Sequence, residues 1–282
     1  MERKSRREYK NQYHISLISF FDILGFKDVV DKSEDSNRVL QILETLRHQG
    51  KPDINLASMF EQKHSNISDT IVRTIDIYNQ ANKKHRVGIL FHELLNLMHV
   101  QRSLIYQDIV IRGSITIGKV YHDGSYVFGP GFNRAYLLEK NIAIYPRIII
   151  DRWILNFLEE THLKDLLLRD GNNHFAITQK EYMKSLVRES SDGVWFLDYL
   201  KMSPEFNKIC DYGEFLRHHK ELIVERSKGR DAFDRTAVKY GWLARYHNEV
   251  LDSMSDRDFE SIGISRKNLH ITKDEVEAIY EF

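Results

Sequence analysis

Covalent reinforcement is nearly absent from this chain. Cys210 is its single cysteine, so no internal disulfide framework exists, and such usage fits a reducing compartment. Charge of one sign is missing too. Forty-one basic residues meet 41 acidic ones, which removes the electrostatic case for stable nucleic-acid or anionic-membrane binding. No apolar run reaches the roughly 18 residues of a membrane span. The polar, basic stretch Met1–Lys10 is followed by no apolar core of a secretory signal. Internal repeats and low-complexity linkers are absent as well. These absences lead to the expectation of a soluble cytoplasmic protein. With 42% hydrophobic residues and only four prolines among 282 residues, the chain should fold, as one large domain or two small ones.

The most informative stretch runs from His14 to Asp28. Ile15–Leu24 is almost continuously apolar, as for a strand buried on both faces, and Asp22 is its one formal charge. An unpaired carboxylate there costs several kcal/mol or changes its protonation state. Either a cation compensates it or it emerges at the strand's end. Gly25 then supplies a turn into a helix beginning at Phe26. Two readings of Asp22 stand at this point: a metal ligand beside backbone amides, or a cap on the next helix. Asp69, in the turn sequence Asn66-Ile67-Ser68-Asp69, is a second candidate ligand or an ordinary turn residue.

Along the chain, residues 1–12 read as a solvated, mobile tail. Val39, Leu40, Leu43 and Leu46 mark an amphipathic helix capped at Asp35 or Ser36 and ending near Gly50. Ile54–Phe60 and Thr70–Ile77 read as the strands of a hairpin. Val87, Leu90, Phe91, Leu94, Leu95 and Met98 mark a second helix. Ile109–Val120 reads as a strand pair or one long bent strand, with Gly113 and Gly118 as bulges. A Gly-Pro-Gly turn then opens a helix through Glu139, and Tyr145–Asp151 is another strand. This order suits an α+β fold: a ferredoxin-like, palm-type α/β sandwich built of split β-α-β units, over residues 13–151. Residues 152–282 read as a mostly helical extension packed on or beside it. Helices are expected at Trp153–Leu168, Ala176–Val187, Tyr212–Lys228 and Asp231–Asp252, and a short strand within Asp192–Leu200. The 13 histidines show no zinc-type spacing and read as surface or packing residues.

Four segments, taken in order, resemble the catalytic domain of the class III nucleotidyl cyclases. Phe20-Phe21-Asp22-Ile23-Leu24-Gly25-Phe26 resembles that family's F-x-D-I-x-G-F metal-binding strand and turn. Ser68-Asp69-Thr70 resembles its G-D-[ST] hairpin. Arg112-Gly113-Ser114-Ile115-Thr116-Ile117-Gly118-Lys119-Val120 is similar to its R-x-G-I-x-x-G-x-V strand. Gly129 to Glu139 is similar to G-x-x-V-N-x-A-x-R-L-E, register for register. The resemblance covers roughly residues 14–151 and implies the class III cyclase variety of the palm fold.

It also implies roles. Asp22 and Asp69, with the Ile23 carbonyl, would bind two Mg²⁺ or Mn²⁺ ions. The amides of Leu24, Gly25 and Phe26 would hold a nucleoside triphosphate. Asn133 would orient the ribose, so that its 3′ hydroxyl attacks the α-phosphate and releases pyrophosphate, at a site shared within a homodimer. Leu137 stands where the family has its transition-state Arg, leaving Arg134 or Arg112 as substitutes. Ser65 and Tyr126 stand at the positions of the purine-selecting Lys and Asp, which fits a smaller base, UTP or CTP. That combination resembles the bacterial Pycsar antiphage cyclases, whose cyclic UMP or cyclic CMP acts through an effector protein. The motifs Asp192–Leu200 and Lys239–Asn248 resemble a bacterial family with the same front half. The alternatives are a degenerate cyclase fold that binds a nucleotide or a partner, and a palm-type nucleotidyltransferase making linked products.

Overall fold

The apolar run near the start of the chain becomes an interior strand of an eight-stranded mixed sheet. The computed structural model describes residues 12–52, 54–79, 88–159, 185–201, 209–230 and 234–277. Strand β1 (His14–Ile23) lies between β3 (Thr70–Asp76) and β4 (Ile111–His122), antiparallel to both. Edge strand β2 (Lys63–Ile67) pairs with β3. On the other side β6 (Ile148–Ile150) runs parallel to β4, and β8 (Trp195–Leu197) and β7 (Val187–Glu189) complete the order β2-β3-β1-β4-β6-β8-β7. The two-residue β5 (Val127–Phe128) pairs only with the end of β4. The first four long strands, in the order β2-β3-β1-β4 and all antiparallel, are the ferredoxin-like arrangement expected from the sequence.

Helices join the strands. Short α1 (Phe26–Asp31) follows β1, and α2 (Ser36–Gln49) begins at Asp35, whose carboxylate accepts from the Asn37 amide at 2.9 Å. Next come α3 (Ile54–Phe60), α4 (Ile89–Ile105), α5 (Pro130–Asn141) and α6 (Arg152–Glu159). Alternation along β1 divides its neighbours. Ile18 and Phe20 pack with Ala135 and Phe132 of α5, whereas Ser19 donates to Glu93 of α4 at 2.7 Å on the opposite face. Arg73, level with Ser19 and fully buried, lies on that same face. Its guanidinium donates to the Gly50 carbonyl at the end of α2 and to Asn96 of α4.

Several expectations need correction. Ile54–Phe60 is a helix, not a strand; Phe60 is buried and its carbonyl accepts from Asn79 at 2.8 Å. The true hairpin partner of β3 is Lys63–Ile67, whose polar sequence fits an edge strand. Ile111–His122 is one continuous strand in unbroken register with β1, so Gly113 and Gly118 are not bulges. They permit close approach: a Cβ at Gly113 would lie 2.4 Å from the Phe20 carbonyl oxygen, and one at Gly118 would lie 2.7 Å from Gly131 Cα. Val187 belongs to a strand that pairs with β8, not to a helix. The expected mobile tail over residues 1–11, and the helical readings over 160–168 and 176–184, lie outside the described residues.

The chain divides into two compact units. One holds residues 1–100 and 111–197, and the other residues 101–110 and 198–282. The sheet thus continues past Asp151 through β7 and β8. In the second unit, α7 (Ile209–Ser227) and α8 (Arg235–Ser253) pack with α9 (Asp256–Ile262) and α10 (Arg266–Leu269). Helix α8 buries Trp242, Leu243, Tyr246, His247 and Val250, as expected of a packing helix.

Two fully buried histidines stack in this unit, His219 Nδ1 lying 3.0 Å from His247 Nδ1. Their proton positions follow from their partners. His247 Nε2 faces the Leu269 carbonyl, which only accepts, so it carries the hydrogen. His247 Nδ1 therefore accepts from His219 Nδ1–H, and His219 Nε2 accepts from the Tyr199 hydroxyl at 2.9 Å. Both rings are neutral in this chain of bonds. Burial holds His219 well below the usual imidazole range and His247 down at about 4.

Candidate active site

Strand register brings the two acids together. Asp22 pairs with Thr70 on β3 and Arg112 on β4. Asp69 immediately precedes Thr70 in the tight turn after β2, where Ser68 takes φ 54°. Two residues beyond Phe20, Asp22 emerges on the face covered by α5, and there it meets Arg112 and Glu139. Arg112 Nε lies 3.2 Å from Asp22 Oδ1, and its Nη2 lies 2.5 Å from Glu139 Oε1. One guanidinium thus bridges two carboxylates. Glu139 reaches this place because it stands one turn after buried Ala135 on the inward face of α5.

The cluster carries more negative charge than Arg112 neutralises. Burial raises the Asp22 carboxyl above its ordinary range despite Arg112, and the charge of Asp69 adds to the rise. Burial raises Asp69 as well, against hydrogen bonds from its own turn and the charge of Arg112. Glu139 is pushed up to about 7, first by burial and then by the charge of Asp22. A divalent cation would relieve this excess. The donors on hand, two carboxylates and the Ile23 carbonyl, are the hard oxygens that Mg²⁺ and Mn²⁺ take. Among the described residues no group of three or more His, Cys, Asp or Glu stands ready as a cation cage. A site of the Mg²⁺ type needs only one or two carboxylates besides substrate phosphates, so the residues fit.

The turn after Asp22 has the expected geometry. Gly25 takes φ 74° as the residue before α1, a conformation that disfavours any side chain. Its carbonyl accepts from the Val29 amide at 3.2 Å; Leu24 and Gly25 form the turn, and Phe26 opens α1.

The other expected site residues sit elsewhere. Asn133 and Leu137 are exposed on α5, one turn apart. Asn133 precedes Glu139 by six positions, roughly 9 Å along the axis and about 120° around it. Arg134 does not face the acids. It makes a two-pronged pair with buried Asp151, Nε to Oδ2 at 2.5 Å and Nη2 to Oδ1 at 2.7 Å, and its guanidinium stacks 4.0 Å above the Trp153 ring.

Ser65 and Tyr126 lie on segments that touch. Ser65 Oγ donates to the Gly124 carbonyl at 2.9 Å, within the turn that carries Tyr126. With its single proton used there, Ser65 accepts from His122 Nε2 at 2.8 Å, and His122 Nδ1 accepts from Thr74 at 2.9 Å. Burial, with the charge of Lys63 adding, lowers His122 to about 4. Tyr126 is 68% exposed.

Sequence reasoning missed three participants: Glu139, Asp151 and His122. The i, i+4 spacing of Ala135 and Glu139 was a usable signal for the first. Nothing local marked His122, because its partners lie on β2 and β3.

No family model and no curated protein matches the chain. Among solved structures, it is similar to a bacterial light-regulated adenylyl cyclase, at 14% identity and a TM-score of 0.37. That match covers 51% of this chain and 45% of the other, so the chain spans about half the length of that relative. A class III adenylyl cyclase-like ATP-binding protein from Pseudomonas aeruginosa matches over 90% of this chain and 72% of its own length, at 9% identity and a TM-score of 0.33. No helix among the described residues is long and apolar enough to cross a membrane.

Proposed function

We propose that this protein is a metal-dependent nucleotide cyclase, converting a nucleoside triphosphate to its 3′,5′-cyclic mononucleotide and pyrophosphate. The observation that carries this reading is the meeting of Asp22 and Asp69 at the exit of β1, with too little positive charge beside them. Asp22, Asp69 and the Ile23 carbonyl would hold the ions, which supply activation of the 3′ hydroxyl and neutralisation of the leaving phosphate. The amides of the Leu24–Phe26 turn would receive the triphosphate, and Arg112, already poised there, would add a cationic fork.

Asn133 would orient the ribose. Because it faces away from its own chain's Asp22, a complete site needs a second copy, so the proposal includes a homodimer. A pyrimidine substrate, UTP or CTP, follows from Ser65 and Tyr126 at the base-selecting positions: the Ser65 proton is already used, and the nearby Lys63 ammonium is spent on the His122 carbonyl at 2.6 Å. The resemblance to Pycsar cyclases extends the proposal to a second-messenger step in antiphage defence, with an effector protein responding to the product.

The exposed aliphatic Leu137 favours a second reading, a cyclase fold that binds nucleotide without turnover. Incubation with each of the four ribonucleoside triphosphates and Mn²⁺, with products identified by mass, separates the readings. A cyclic mononucleotide with pyrophosphate supports the cyclase. Linked dinucleotides mark a nucleotidyltransferase. Binding without any product supports the second reading.

A further inference from the structure

The first turn of α5 is weak by its own chemistry. Its N-cap, Gly129, offers no side-chain acceptor to the free amides; Pro130 suits the first helical position, but Gly131 follows it. Gly131 is a poor helix former that cannot be replaced in place: a Cβ there would lie 2.6 Å from Ile18 Cδ1 and 2.9 Å from the Gly118 carbonyl carbon. Yet this turn presents Asn133 to solvent. The side chain tied down beside it is Arg134.

The tie is unusually complete. Asp151, at the end of β6, is buried, and all its bonding capacity converges on one purpose. Oδ2 accepts from Arg134 Nε and from Thr116 of β4, each at 2.5 Å. Oδ1 accepts from Arg134 Nη2 at 2.7 Å and from the Trp153 amide at 3.2 Å. Burial alone would raise this carboxyl, but hydrogen bonds from Arg134, Thr116 and Trp153 outweigh it and hold Asp151 below the ordinary range. The Trp153 ring backs the guanidinium. Arg134 is therefore fixed in position and rotation by two strands and the start of α6.

We infer that the Arg134–Asp151 clamp is a positioning device, which holds the uncapped first turn of α5 so that Asn133 is presented in one orientation. This inference rests on the ribose-orienting role proposed for Asn133. Arg134 acts through its neighbour and is withheld from the phosphates by Asp151. A lysine could supply the charge but not the two-pronged geometry.

Arg134→Lys and Asp151→Asn test the clamp in the full chain. Hydrogen exchange at the Asn133 and Arg134 amides should quicken about tenfold or more in both, with the β4 amides unchanged. With the triphosphate that the wild type turns over, kcat should fall about tenfold or more and KM stay within about twofold. In an Asn133→Ala background, Asp151→Asn should add less than about a further twofold loss, since the device would have nothing left to aim. Unchanged exchange in both variants, or full multiplication of the two losses, overturns the inference. A wild type inert toward all four triphosphates overturns the cyclase reading and, with it, the aiming of Asn133; the exchange comparison still decides whether the clamp holds the turn.

Discussion

Asp22 and Glu139 share one nitrogen of the Arg112 guanidinium, Nη2, which lies 2.5 Å from Glu139 Oε1 and 3.4 Å from Asp22 Oδ2, although one acid lies on β1 and the other on a helix far along the chain. The bridge joins the candidate metal site to α5, the helix that carries Asn133. It also explains how a carboxylate is tolerated at the end of a strand buried on both faces: a cation meets it where the strand ends.

Removing either acid should stop turnover without unfolding the protein. Asp22→Asn and Asp69→Asn each replace a half-buried carboxylate, raised by its surroundings, with a neutral isostere, so folding stability should hold or rise. Turnover should fall by at least about a hundredfold, on the scale seen when one preorganised electrostatic partner is lost. Steady-state assays with Mn²⁺, alongside thermal unfolding, check both halves. Near-full activity in either variant would sink the two-acid assignment.

Glu139 sets a pH dependence whose sign follows from its raised carboxyl. Its folded value is about 7 against an ordinary 4.5, so the folded state holds an extra proton between those values. Stability from this group is fully present below about pH 4.5 and is lost as pH rises through about 7. Glu139→Gln should flatten that slope and stabilise the protein at neutral pH, by up to about 3 kcal/mol on the linkage relation. Denaturant midpoints at several pH values give the slope. Unchanged pH dependence in the variant would show that Glu139 is charged in the fold.

The histidine pair works in the opposite direction. His219 and His247 are held neutral, so the unfolded chain gains protons that the fold refuses. Their contribution is present above about pH 6.5 and is lost as pH falls below it, that of His247 toward about 4. His247→Asn should weaken the protein at pH 7.5 yet reduce its further loss on acidification. The ring carbon and nitrogen resonances should report two neutral imidazoles at pH 6, with the hydrogen on Nε2 of His247 and on Nδ1 of His219. A charged ring at that pH would contradict the bond chain from Tyr199 to Leu269.

Much of this was legible in the sequence because it was written locally. The apolar run around Asp22 announced a buried strand, the order of elements announced a split β-α-β sheet, and Ser68-Asp69-Thr70 announced a turn. What escaped was set by tertiary context. Lys63–Ile67 has no apolar alternation because an edge strand need bury little, so the apolar Ile54–Phe60 was read as the strand in its place. Arg134 looked available for phosphate because its partner Asp151 lies in another element. Gly113 and Gly118 marked close approach instead of bulges, and no pattern within one strand distinguishes the two.

Gly131→Ala brings local rules and packing into conflict. Helix propensity alone favours alanine over glycine by about 1 kcal/mol. Here the added Cβ would lie 2.6 Å from Ile18 Cδ1 and 2.9 Å from the Gly118 carbonyl carbon, and backbone cannot yield as a side-chain tip can. Packing should win, since overpacking of this kind costs about 1–3 kcal/mol and forces α5 away from β4. The variant should unfold at lower denaturant with an unchanged slope, and its turnover should drop as the first turn of α5 moves. A Gly131→Ala protein as stable as the wild type would mean that α5 can lift off β4 without loss, and the close packing of Gly118 on Gly131 would then not be what seats the helix.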